Sequence, residues 1–115
     1  PRLREYMARV RDLGLHEKCF ILIGVGPLAS ARAGAWLRSN VPGVHIPDAV
    51  LQRMRKSGDQ KREGRDICVE IIEEIREIEG VAGVHVMAYR QAEMAAEIIE
   101  RSKVLQGRKP WRRQP

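Results

Sequence analysis

Two stretches of this 115-residue chain carry residue types able to meet a ligand. The first is Gly24-Val25-Gly26-Pro27-Leu28-Ala29, at the end of an apolar run. It formally matches G-x-G-x-x-G/A, the pattern in which glycines let the backbone approach a pyrophosphate. Pro27 removes an amide that such a loop would turn toward phosphate. The acid expected about twenty residues on, at the end of a second strand, is also missing, because Asp48 opens a helix instead. These departures argue against a dinucleotide site, and without G-K-[S/T] there is no nucleotide P-loop. The second stretch is Met87-Ala88-Tyr89-Arg90-Gln91, where an aromatic ring, a cation and an amide leave one strand together. They can hold a flat polar ligand by stacking and hydrogen bonding. Arg90 and Gln91 can equally cap and solvate the helix that follows, and the residues alone leave both readings open.

Other chemistry is less well supported. His16, His45 and His85 form neither H-x-H nor H-E-x-x-H, so no metal site is expected. His85 alternates with Val84 and Val86, which suits a core histidine with a satisfied hydrogen bond. There is no G-x-S-x-G elbow and no Cys/His nucleophile pairing. Cys19 and Cys68 lie far apart and are expected to be two buried, reduced thiols. The net charge of +6 is concentrated at one end, where Arg108, Lys109, Arg112 and Arg113 form a tail without an acid. That tail could grip phosphate and stack a base on Trp111. A solvated terminus is the simpler expectation, with no nucleic acid as partner. No apolar stretch approaches the roughly 18 to 20 residues of a membrane span, and the start carries no visible signal peptide. A cytoplasmic protein without a membrane partner is expected, and Pro1 in place of Met fits truncation.

The elements that must position these residues follow from periodicity. Leu3, Tyr6, Val10 and Leu13 predict a first helix ending at Gly14, and a polar link through His16, Glu17 and Lys18 leads to the run from Cys19 to Gly24. That run is almost continuously apolar, which predicts a strand buried on both faces. Ser30 caps a helix through Ala31, Trp36 and Leu37 that breaks at Val41-Pro42-Gly43. Pro47 and Asp48 open a short helix with Val50, Leu51 and Met54 on one side, ending at Ser57-Gly58. Asp59 caps the longest helix, with Ile67, Ile71, Ile75 and Ile78 as its stripe and Glu70, Glu73, Glu74 and Glu77 mostly outside it. A second strand spans Gly83 to Tyr89. A closing helix follows, with Ala92, Ala95, Ala96 and Ile99 inward and Glu93, Glu97 and Glu100 outward.

Strands that alternate with helices pair in parallel, and such sheets bind ligands beyond the carboxyl ends of their strands. The two candidate stretches lie at those ends. Two strands cannot form a self-sufficient parallel sheet, so the chain reads as the end of a larger β/α protein.

Four blocks in this order resemble one family. They are Gly24-Val-Gly-Pro-Leu-Ala-Ser-Ala-Arg32, Val41-Pro-Gly-Val-His-Ile-Pro-Asp-Ala-Val-Leu51, Glu63-Gly-Arg-Asp-Ile-Cys-Val-Glu70 and Gly80-Val-Ala-Gly-Val-His-Val-Met-Ala-Tyr-Arg90. Together they resemble the carboxy-terminal part of the methylenetetrahydrofolate reductases, from Leu13 to about Ser102. The resemblance implies the C-terminal portion of a (β/α)8 TIM barrel, here its last two strands and their helices. Residues 1–104 would be the barrel fragment and 105–115 a basic, flexible tail. A whole barrel takes on the order of 250 residues, so the remainder of the barrel is an implied partner. The implied reaction passes hydride from NAD(P)H to FAD and then to the methylene carbon of methylenetetrahydrofolate, giving methyltetrahydrofolate. The family's catalytic acids and most FAD contacts come from earlier strands, so the isolated fragment is expected to be inactive. A homo-oligomer is possible.

The resemblance also implies which residues line the folate face: Met87, Tyr89, Arg90, Gln91, Ala33 and Leu37. Tyr89 takes the place of an apolar residue and Gln91 that of an arginine that helps hold substrate. Ala33 stands where better-known members have a glutamine, and Leu37 where they have a stacking phenylalanine. These departures suggest a divergent subgroup with a rebuilt folate grip, in which Arg90 replaces the displaced cation, or one that takes a different pterin derivative. A non-catalytic folate-binding or regulatory homologue is the alternative.

Overall fold

The computed structural model describes residues 2–108. In chain order the elements are α1 (Arg2–Asp12), α2 (Leu15–Lys18), β1 (Ile21–Val25), α3 (Ala31–Asn40), α4 (Asp48–Lys56), α5 (Gln60–Arg76), β2 (Val81–Val86) and α6 (Ala92–Ser102). The caps form largely as the residues dictate. Gly14 takes φ 70°, Ser30 accepts a hydrogen bond from the Ala33 amide, and Asp59 accepts one from the Arg62 amide. The polar link after Gly14 closes into the single turn of α2.

β1 and β2 pair in parallel, with Ile21 opposite Val81, Ile23 opposite Val84, Gly24 opposite His85 and Val25 opposite Val86. Helices cover one face of this sheet. Val25 packs there with Cys68, Ile72 and Ile75 of α5 and Met94 and Ile98 of α6, and Ile23, Val84 and Val86 border the cluster. The opposite face is bare. Leu22 is 59% exposed, and Gly24, His85 and Met87 are exposed beside it. This corrects two expectations. β1 is not buried on both faces, because α5 and α6, joined by α1 at Ile21 and Val81, supply apolar cover on one face only, and His85 is an exposed residue on the bare face rather than a core histidine. Strand β2 also ends earlier than its apolar pattern implies. The Met87 amide still donates to the Val25 carbonyl at 2.7 Å, and the chain then turns away.

Helix faces differ from the predicted stripes by small rotations. In α1 the buried residues are Met7 and Val10, with Leu3 half-buried, whereas Tyr6 and Leu13 face solvent. Spacing of four and three residues stacks Leu3, Met7 and Val10 on one side, about a residue's rotation from Tyr6. In α5 the core side is Gly64, Ile67, Cys68, Ile72 and Ile75. Ile71 falls at its exposed edge, and Ile78 joins Met7 and Val10 beyond the helix end. In α6 Met94, Ile98 and Ser102 face inward while Ala92 and Ala96 are exposed, because the longer side chains reach the sheet and α5. The outward Glu97 is not idle, since Arg65 of α5 donates to it at 2.8 Å.

The two cysteines diverge. Cys68 is 2% exposed and burial pushes its thiol up to about 11, whereas Cys19 is exposed ahead of β1, which corrects the expectation of two buried thiols. A thiol reagent at neutral pH is expected to modify Cys19 rapidly and Cys68 only on unfolding. Because the folded Cys68 pKa lies above its unfolded value, its contribution to stability is complete below the ordinary thiol range, about 8.5, and is lost as pH rises toward about 11. Two equally fast thiols in the folded protein would contradict this packing.

Among the described residues no helix is long and apolar enough to cross a membrane. No group of three or more His, Cys, Asp or Glu among them is placed to hold a metal ion. Lys109, Trp111, Arg112 and Arg113 of the basic tail lie outside the described residues.

Candidate functional site

Parallel pairing in register brings the ends of β1 and β2 to the same edge, so the loops at Gly26 and Met87 leave side by side. Met87 crosses the end of β1. A Cβ on Gly26 would meet the Met87 carbonyl oxygen at 2.5 Å, and one on Gly24 would meet Met87 Cε at 2.9 Å. The glycines of the G-x-G pattern are therefore explained by close approach of the neighbouring strand, with no phosphate needed.

Beyond Met87 the turn places Tyr89 and Arg90 in solvent, with the Arg90 guanidinium carbon 5.3 Å from the centre of the Tyr89 ring. Arg90 has φ 53°, a left-handed conformation that a side chain with a Cβ adopts at a cost of about 1–2 kcal/mol. Gln91 starts α6 through its backbone, its carbonyl accepting from the Ala95 amide at 3.0 Å. Its side chain makes no cap. The Gln91 Oε1 atom is buried without a hydrogen-bond partner among the described residues.

Ala33 and Leu37 lie one turn apart on α3, both half-buried. Two contacts from α5 fix the start of that helix. Gln60 Oε1 accepts from the Ala31 amide at 2.8 Å, and Gly64, one turn later, lies against the Leu28 carbonyl. On its other side α3 packs on α4, where a Cβ at Gly34 would lie 2.8 Å from Leu51 Cδ2. Arg38 also pairs with Asp48 at 2.6 Å. The structure thus gathers Met87, Tyr89, Arg90 and Gln91 in one turn and sets Ala33 and Leu37 on a separate helix that rises from the same edge of the sheet. Sequence reasoning missed Gln60 and Gly64, although a glycine in the first turns of the most regular helix was a signal of close approach.

Away from this edge, Arg53 of α4 pairs with Glu63 and donates to both oxygens of Glu70 at 2.6 and 2.7 Å. Those hydrogen bonds hold the Glu70 carboxyl below its ordinary range and raise the Arg53 guanidinium. They clamp α4 to α5 and take no part in the edge. A cleft of about 210 Å³ beneath α4 is lined by Leu28, Val50, Met54, Ile67 and Cys68, with His45 at its border, and offers little to orient a polar ligand.

A parallel strand pair with helices on one face and polar groups collected at the carboxyl edge defines an α/β protein, a class whose ligand sites lie beyond that edge. The methylenetetrahydrofolate reductase family model matches residues 2–103, and the chain belongs to that family. No curated protein and no solved structure matches the chain.

Proposed function

We propose that the chain supplies the last two βα units of a (β/α)8 barrel in a flavin-dependent methylenetetrahydrofolate reductase, which moves hydride from NAD(P)H through FAD to 5,10-methylenetetrahydrofolate. The bare sheet face carries this reading. Leu22, Gly24, His85 and Met87 form a face that a closed barrel would turn inward, and parallel sheets rarely leave such a face in water. The residues present fit one wall of a ring-binding site. Glycine at 24 keeps the floor flat under Met87.

Bound FAD would supply the two-electron carrier between nicotinamide and folate. The chain's own residues bind and orient. Met87 shields the floor from water, Gln91 packs behind the turn at the start of α6, Tyr89 offers a ring face, and Arg90 offers a cation to a carboxylate or pterin oxygen. Ala33 and Leu37, which carry neither an amide nor an aromatic ring, favour a second reading, a folate-binding homologue without turnover.

The complete polypeptide is expected to purify yellow, to be bleached by NAD(P)H without oxygen, and to regain colour on adding methylenetetrahydrofolate. Absence of flavin would sink the proposal, and flavin without reoxidation by the folate would favour the non-catalytic homologue. The isolated segment should bind FAD weakly and associate through its bare sheet face.

A further inference from the structure

We propose that Met87 is a site of reversible oxidation by peroxides, at which sulfoxide formation weakens ligand binding at the carboxyl edge. The chain has four methionines. Met7 and Met54 are 0% exposed and Met94 is 8% exposed, whereas Met87 is 52% exposed and crosses the end of β1. Burial therefore protects three thioethers from a dissolved oxidant and leaves it one. The carboxyl edge is the side that a closed barrel keeps open to its ligands, so a peroxide reaches this sulfur by the route a ligand takes.

Oxidation there has a structural consequence. The Met87 amide donates to the Val25 carbonyl at 2.7 Å and its own carbonyl closes on Gly26, so the backbone is pinned. The thioether lies over Gly24, with Cε 2.9 Å and Sδ 3.9 Å from where a Cβ on that glycine would stand. In the reaction a sulfur lone pair takes one oxygen from hydrogen peroxide, the O–O bond breaks, and the other oxygen leaves with both protons as water. Sulfur gives up two electrons and the peroxide gains them. The product is polar and chiral where the thioether was flexible and apolar. Gly24 has no side chain to receive the new oxygen, so the sulfoxide turns toward water and uncovers the floor at that glycine. The favourable contact of the sulfur with an aromatic ring bound above it is lost as well. The effect on binding rests on the proposed folate site, and the oxidation itself does not.

Peptide mass spectrometry of the complete polypeptide after dilute hydrogen peroxide tests the site. In the folded protein Met87 sulfoxide is expected to form about tenfold or more faster than the sulfoxides of Met7, Met54 and Met94, and in denaturant all four should form alike. Equal rates in the folded protein would overturn the assignment. Calorimetric titration with 5-methyltetrahydrofolate should then show affinity lowered about two- to tenfold, the range of a lost sulfur–aromatic contact. Methionine sulfoxide reductase should restore it, and a thiol reductant, which reverses oxidation of the exposed Cys19, should not. Recovery with the thiol reductant alone, unchanged affinity after full conversion of Met87, or an equal peroxide-induced loss in Met87→Leu would overturn the effect on binding. If the untreated polypeptide bound no folate, the proposed site would fall, while the oxidation of Met87 would still be decided by the mass spectra.

Discussion

Gly64→Ala is expected to destabilise the fold by about 1–3 kcal/mol or more, the usual cost of forcing extra volume into a packed site. The sign is informative. In an exposed helix interior the same change should stabilise by up to about 1 kcal/mol, because alanine is the better helix former. At position 64 the new Cβ would sit inside the contact distance of the Leu28 carbonyl oxygen and 3.0 Å from its carbon. That oxygen is backbone, so α5 and the β1–α3 loop must separate. Gly58→Ala is the control, since nothing lies within 4 Å of its Cβ position, and it should be neutral or slightly stabilising. Thermal or denaturant unfolding of both variants checks the prediction, and a Gly64→Ala protein as stable as its parent would show that α5 does not press on the loop. Because Gln60 and Gly64 hold the loop that launches α3, the same substitution should also loosen α3 and the proposed folate face at Ala33 and Leu37.

Arg90→Gly should pull stability and binding in opposite directions. Glycine accepts φ 53° without strain, so the variant should unfold at higher temperature, by the equivalent of about 1 kcal/mol. It also removes the guanidinium that pairs with the Tyr89 ring and, in the proposed site, meets a carboxylate or pterin oxygen. A charge-assisted contact of about 1.5–3 kcal/mol corresponds to a loss of folate affinity of about tenfold or more. Arg90→Ala should lose the affinity without gaining stability, while flavin content and NAD(P)H oxidation persist in both. Unchanged folate binding, or loss of flavin instead, would reduce Arg90 to a surface residue of the turn. A residue that costs stability where it stands and improves binding is the pattern expected of strain kept at a functional site.

Local chemistry made much of this chain legible in advance. Ser30, Asp59, Pro47, Gly14 and Val41-Pro42-Gly43 set helix limits through capping, fixed dihedrals and lost amide donors, effects that act within a few residues. The four ordered blocks likewise revealed the family, whose match over residues 2–103 agrees with that reading. Which side of each helix faces inward was less legible. A stripe of isoleucines or alanines can rotate by one residue in the packed fold, so that Ile72 rather than Ile71, and Met94 rather than Ala92, reaches the core.

Tertiary structure decided the rest. An apolar run such as Cys19–Gly24 states that a strand is sticky but not how many faces are covered. The bare side of Leu22, Gly24 and His85 follows from having helices on one face only. The glycines at 24 and 26 resemble a phosphate loop until the neighbouring strand brings Met87 across them. The pressure of Gly64 on Leu28 and of Met87 on Gly26 depends on how segments far apart in the chain approach one another. No short window of residues encodes such distances, because each is fixed by the packing of elements on both sides.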